Sequence, residues 1–171
     1  WWIPNMYRST DAGKKWDRVQ IEIEKGSPID NLVHAGPLFL ALQHGRIILS
    51  RDTGWTWTNT GIECSGISAS DSLLVYNNIY SVVFSTDAGN SWEERISGLP
   101  PRCYILQLAS TGDTVFSIGQ LSVPYNNYTI VVFMSMNGGR DLTFVQKGYR
   151  TGQACTESDL YVHGGYVYLR C

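Results

Sequence analysis

Short apolar runs alternate with polar turns along the whole chain, and none keeps a helical period over three turns. Ile47-Ile48-Leu49, Val82-Val83-Phe84 and Val131-Val132-Phe133 each lead into a polar segment. Val19, Ile21 and Ile23 alternate with Gln20, Glu22 and Glu24, the period of two that marks a half-buried strand. Further strands are predicted in pairs: 31–35 with 38–43, 66–69 with 73–77, and 104–109 with 114–118. Their turns fall at Gly36-Pro37, Ser70-Asp71-Ser72 and Thr111-Gly112-Asp113, where turn-forming residues cluster. The pattern predicts an all-β protein.

A repeated octet is the strongest signal. Ser9-Thr10-Asp11-Ala12-Gly13-Lys14-Lys15-Trp16 recurs as Ser50-Arg51-Asp52-Thr53-Gly54-Trp55-Thr56-Trp57 and as Ser85-Thr86-Asp87-Ala88-Gly89-Asn90-Ser91-Trp92. A worn copy follows at Ser135-Met136-Asn137-Gly138-Gly139, with Phe144 two places later than the expected aromatic. The pattern S-x-D-x-G-x-x-W repeats at spacings of 41, 35 and 50 residues. Ser and Asp can bond backbone groups inside a turn, Gly supplies a positive φ, and Trp returns a large apolar face to the sheet. Each octet therefore reads as the hairpin turn between two strands, with two more strands before it. Four strands per roughly 40 residues is the signature of a propeller blade.

The octets resemble the Asp boxes, or BNR repeats, of sialidases, sortilin-type receptors and photosystem assembly factors. The stretch 92–100, ending Ser97-Gly98-Leu99-Pro100, resembles the linker that follows the box in many bacterial members. The resemblance implies a β-propeller with a sialidase-like fold and boxes at the blade periphery, away from the ligand-binding axis. It does not imply a function, since one fold hosts many.

Four boxes predict four blades of four antiparallel strands in one domain, 1–171. The segments 154–159, 160–164 and 166–171 read as three strands without a box, and the N-terminus begins with a box and an outer strand. A last blade assembled from both chain ends would remove the open edges of a partial ring. Residues 5–8 also read as a third strand, one too many for that blade. A piece of a six- or seven-bladed ring is the alternative.

A formal net charge of −2, with 13 scattered Lys and Arg, argues against phosphate-backbone binding and hence against nucleic acid. No run approaches the roughly 18–20 apolar residues of a membrane span. Cys64, Cys103, Cys155 and Cys171 lie in no metal-binding spacing. Their even number, with the sequon Asn127-Tyr128-Thr129, points to a disulfide-bonded, glycosylated protein that is secreted or on the extracellular surface. Three pairings are open, with Cys64–Cys103 and Cys155–Cys171 favoured.

No cofactor or metal is expected, and no catalytic motif for hydrolysis or phosphate transfer is present. Sialidase activity would require, by family resemblance, an arginine cluster and an Arg-Ile-Pro motif; Trp2-Ile3-Pro4 has Trp in place of the Arg. Asp11, Asp52 and Asp87 belong to their own turns, and His34, His44 and His163 are isolated. The expected role is non-catalytic protein binding through the face opposite the boxes. That face collects Arg102, the inserted loop 119–128 with Tyr125, Asn126 and Tyr128, and Tyr149 with Arg150. Glycan binding is the alternative, with Tyr125/Asn126 or Trp55 as platform.

Overall fold

The computed structural model describes residues 6–19, 21, 28–71, 73–95, 99–123, 127–138, 140–151, 159–163 and 166–170. Their contacts divide the chain into two compact units, Trp1–Glu63 and Cys64–Cys171. Every regular element is a strand, and every pairing is antiparallel between chain neighbours.

In the first unit, β1 (Met6–Arg8) pairs with β2 (Asp17–Val19) across the first octet. A four-stranded sheet follows: β3 (Ile29–Ala35), β4 (Leu38–Gln43), β5 (Arg46–Ser50) and β6 (Thr58–Glu63), in chain order. The two sheets share a core of Val19, Ala41, Ile48 and Trp57, with Met6, Ile21, Ile29 and Phe39 against it.

The second unit holds two such sheets and a hairpin. β7 (Gly66–Ser70), β8 (Leu73–Asn77), β9 (Val82–Ser85) and β10 (Glu93–Arg95) form one sheet. β11 (Cys103–Thr111), β12 (Thr114–Val123), β13 (Asn127–Ser135) and β14 (Thr143–Thr151) form the next. β15 (Asp159–His163) pairs with β16 (Tyr166–Arg170). Leu73, Val75, Val82 and Phe84 of the first sheet pack on Cys103, Ile105, Val115, Val131, Phe133 and Leu142 of the second. Each such side chain stabilises the fold by roughly 1.5–3 kcal/mol through the water it sheds. Ala109, Ile118 and Ile130 cover Leu160 of the hairpin in the same way.

Polar ties align the stacked sheets. The Ser68 and Ser110 hydroxyls meet at 2.7 Å, Ser70 donates to the Gly112 carbonyl at 2.6 Å, and Leu160 N–H donates to Gln107 Oε1 at 2.6 Å. Within the second unit these bonds join β11 and the turn after it to β7 on one side and to β15 on the other.

The structure changes several expectations from the sequence. Residues 119–128 are no free loop: 119–123 extend β12 and 127–128 open β13, with Val123 opposite Asn127. Tyr125 and Asn126 lie outside the described residues. Tyr149 and Arg150 lie within β14 rather than in a loop. Of the three strands expected at the C-terminal end, β15 and β16 are present, and the first, at 154–159, falls on 152–158, outside the described residues. Among the described residues β1–β2 and β15–β16 are each two-stranded.

The favoured Cys64–Cys103 disulfide is not formed: both are free thiols, each buried. Cys103 sits in the core cluster against Gly119, Phe133 and Val131. Burial pushes the Cys64 thiol up to about 12 and the Cys103 thiol up to about 11. Cys155 and Cys171 lie outside the described residues. Both described thiols are expected to resist iodoacetamide in the native protein near pH 8 and to react in urea. Peptide mapping of the alkylated sites checks this.

Gly119 is where β12 must be bare. A Cβ there would meet Cys103 Sγ well inside contact distance, Phe133 at 3.0 Å and Val131 at 3.1 Å. Gly119→Ala is expected to cost about 1–3 kcal/mol by overpacking, read as a lowered denaturant midpoint with unchanged slope.

Candidate functional site

The sheets present two ends, one built by the octets and one by the opposite loops. The octets lie between the third and fourth strands: between β5 and β6, β9 and β10, and β13 and β14. One relay recurs in them. In the second, the Ser50 hydroxyl donates to Asp52 Oδ1 at 2.8 Å and accepts from the Gly54 amide at 2.8 Å. Asp52 then accepts from the Thr56 amide at 2.9 Å and the Thr56 hydroxyl at 2.7 Å. Ser9, Asp11 and Gly13 repeat it, as do Ser85, Asp87 and Gly89.

The residue before each glycine also adopts positive φ: 58° at Ala12, 60° at Thr53 and 60° at Ala88. The worn copy has Gly138 at that place, at 65°. Its Asn137 Oδ1 takes the Asp role, accepting from Ser135 at 2.9 Å and from the Asp141 amide at 3.0 Å. The eighth position there is Leu142, 4% exposed, rather than Phe144. Gly139 is not among the described residues.

The octet tryptophans differ in burial. Trp57 is 6% exposed and closes its turn by an Nε1–H bond to Gly54 carbonyl at 3.1 Å. Trp92 is half-buried and meets Tyr76 edge-on at 4.9 Å. Trp16 makes the same bond to Gly13 yet is 60% exposed, on a sheet of only two strands. Its expected role as a cover for the sheet is not met. Trp55 is 43% exposed, and one ring face is taken by the Arg8 guanidinium 4.5 Å from the centroid. Arg8 also donates to the Thr53 hydroxyl at 3.0 Å. Half the platform proposed for a glycan is thereby occupied.

The opposite end gathers residues that carry no turn. Register places Cys103 opposite Leu121, Ser122 opposite Tyr128, and Thr129 opposite Arg150, so Arg102, Tyr128, Tyr149 and Arg150 belong to one end of β11–β14. The β8–β9 turn joins them through the Ile105 amide, which donates to the Ile79 carbonyl at 2.9 Å. Asn78 Oδ1 fixes that turn by accepting from the Tyr80 amide at 3.0 Å, the Ser81 amide at 2.8 Å and the Ser81 hydroxyl at 2.9 Å. Asn77 Nδ2 adds a bond to the Ile105 carbonyl at 3.3 Å.

Ile79 and Tyr80 consequently stand 50% and 61% exposed on a pinned turn, with Tyr104 tilted against Tyr80 at 5.6 Å. Arg102, two residues before Tyr104, is exposed at φ 63°. Ile79, Tyr80 and Tyr104 were missed in the sequence reading; the signal was the Asn77-Asn78 pair, whose amides form local turns before an apolar pair. Asn127 opens β13, and Thr129 of the sequon is 2% exposed, so a glycan at Asn127 would have to be added before folding.

His34 stacks on Phe39 at 5.6 Å, and His44 lies in the β4–β5 turn. Among the described residues no group of three His, Cys, Asp or Glu can hold a metal. No described helix is long and apolar enough to cross a membrane.

No family model matches the chain, and no curated protein matches it. Among solved structures it is similar to YCF48 bound to D1 peptide, with TM-score 0.45 and 11% identity over 92% of this chain and 79% of that one. It is also similar to an ancestral GH74 enzyme, with TM-score 0.49 and 14% identity over 85% of this chain but 22% of that one.

The octet carboxylates give a pH signature. Bonds from the Thr56 amide and hydroxyl draw Asp52 down to about 2 from 3.8, and bonds from the Ser91 hydroxyl and amide do the same for Asp87. Asp11 is lowered, chiefly by the Lys15 amide. These groups bind protons more weakly folded than unfolded. Their stabilisation is therefore complete above about pH 4 and is lost as pH falls through about 2. Thermal melts across that window are expected to drop steeply, and less steeply in an Asp52→Asn/Asp87→Asn variant that is already weaker near pH ~6.

Proposed function

We propose that this chain is a non-catalytic protein-recognition module on an Asp-box β-propeller, and that it binds its partner through the pinned loop end of β7–β14. The observation that supports this reading is Tyr80 with Ile79, Tyr104 and Arg102. These are aromatic, aliphatic and guanidinium groups of the kind enriched at interface hot spots. Ile79 and Tyr80 are exposed on a turn fixed by five hydrogen bonds from or to Asn77, Asn78 and Ile79, with the half-buried Tyr104 of β11 tilted against Tyr80, so little entropy is lost when a partner docks. Arg102, Tyr128, Tyr149 and Arg150 extend the same end.

The four-bladed ring is part of this proposal. β15 and β16 supply a first and second strand, while β1 and β2 supply a third and fourth with an octet between them. Together they count as one blade of four strands. A secreted or surface location goes with the reading through the Asn127-Tyr128-Thr129 sequon; Cys64 and Cys103 no longer support it. The absence of catalysis is proposed because the octet carboxylates are already engaged by their own turns.

Affinity capture with quantitative mass spectrometry tests the reading. A partner protein retained by the wild type is expected to fall at least tenfold with Tyr80→Ala/Arg102→Ala and to persist with Trp16→Ala. The loop variant should keep its melting temperature, since exposed substitutions usually stay within about 0.5 kcal/mol. No partner, or equal retention by both variants, contradicts it.

A further inference from the structure

The third and fourth octets flank an open groove of about 440 Å³ at the end opposite the recognition loops, within the roughly 300–1,000 Å³ range of small-molecule sites. Trp92, Glu93 and Thr86 line one side, and Asp113, Asn137 and Arg140 the other. The Gly138 amide donates to the Asp113 carbonyl at 2.9 Å, tying the fourth octet to the β11–β12 turn. Asn137 is held from both sides by Ser135 and Asp141, and Trp92 is braced edge-on by Tyr76. The walls are thus fixed by bonds within the second unit.

In the first unit a long side chain spans the gap between two octets. There the residue before the octet is Arg8, and it reaches across to Thr53 and Trp55 of the next octet. Before the third octet the same place holds Phe84, which is 4% exposed and turned into the core. No long side chain fills the groove from that position.

We propose that this groove binds a neutral saccharide. Its chemistry fits vicinal hydroxyls: carboxylates accept them in pairs, an amide and a guanidinium donate, and an indole offers a face to ring C–H groups. With two carboxylates and one guanidinium in its lining, the groove has no excess positive charge to attract an anion. The site is separate from the loop end, so either can fail alone.

Saturation-transfer NMR with cellobiose, maltose, lactose and xylobiose as probes tests it on the full chain. At least one is expected to bind, to change tryptophan fluorescence, and to weaken at least tenfold with Asp113→Asn and with Arg140→Ala. Neither side chain carries the octet relay, and both variants should melt like the wild type. Binding should be unchanged by Tyr80→Ala. Silence from all four probes overturns the proposal. So does affinity that survives both groove substitutions, or affinity that is lost with Tyr80→Ala instead.

Discussion

One serine hydroxyl, held between a carboxylate and a glycine amide, is the constraint on which the sheets depend. A turn between the third and fourth strands must pass through two successive left-handed residues, such as Ala88 and Gly89. Alanine in that conformation is disfavoured by its Cβ. The Ser85–Asp87 relay offsets the strain by collecting the amides that the turn leaves unpaired. With the turn held, the octet's last residue returns to the sheet at a set place, and Trp57 or Leu142 is delivered to the interior. Where the turn is worn, chemistry is substituted in kind: Asn137 replaces Asp, Asp141 adds a second bond, and Gly138 removes the Cβ.

Rigidity at one end leaves the other free to vary. The octet end is committed to backbone hydrogen bonds in every copy. The loop end of β7–β14 is held by different means, the Asn78 side-chain oxygen and the Ile105–Ile79 bond. A surface built by one pair of sheets suits a single partner better than a repeated ligand. The groove between the third and fourth octets differs from the gap between the first and second, where Arg8 lies over Trp55.

Much of the architecture was legible from local rules. Period-two alternation and turn residues placed 38–43 and 73–77 at the observed strand limits, because strand and turn preferences there agree with burial. The octet spacing identified the hairpins. Long-range packing was less legible. Residues 119–128 looked like an insertion because Pro124 and the Asn pair break the pattern, yet the ladder continues on both sides of them. Cysteine parity suggested a bridge, but Cys103 is a small apolar side chain facing Gly119, a role that counting cannot reveal. Phe144 seemed the natural aromatic of the worn octet, while register delivers Leu142. At the candidate site, Arg102 was found by its loop position. Tyr80 and Tyr104 emerged only from the meeting of two sheets.

Amide hydrogen exchange at Gly54, Gly89, Thr56 and Ser91 tests the central claim most directly. These amides lie in surface turns, where exchange is ordinarily fast. If the serine–carboxylate relay holds the sheets, they will exchange as slowly as amides of the adjoining β5 and β9. Exchange at the rate of unstructured peptide would show that the turns are carried by the strands rather than the reverse.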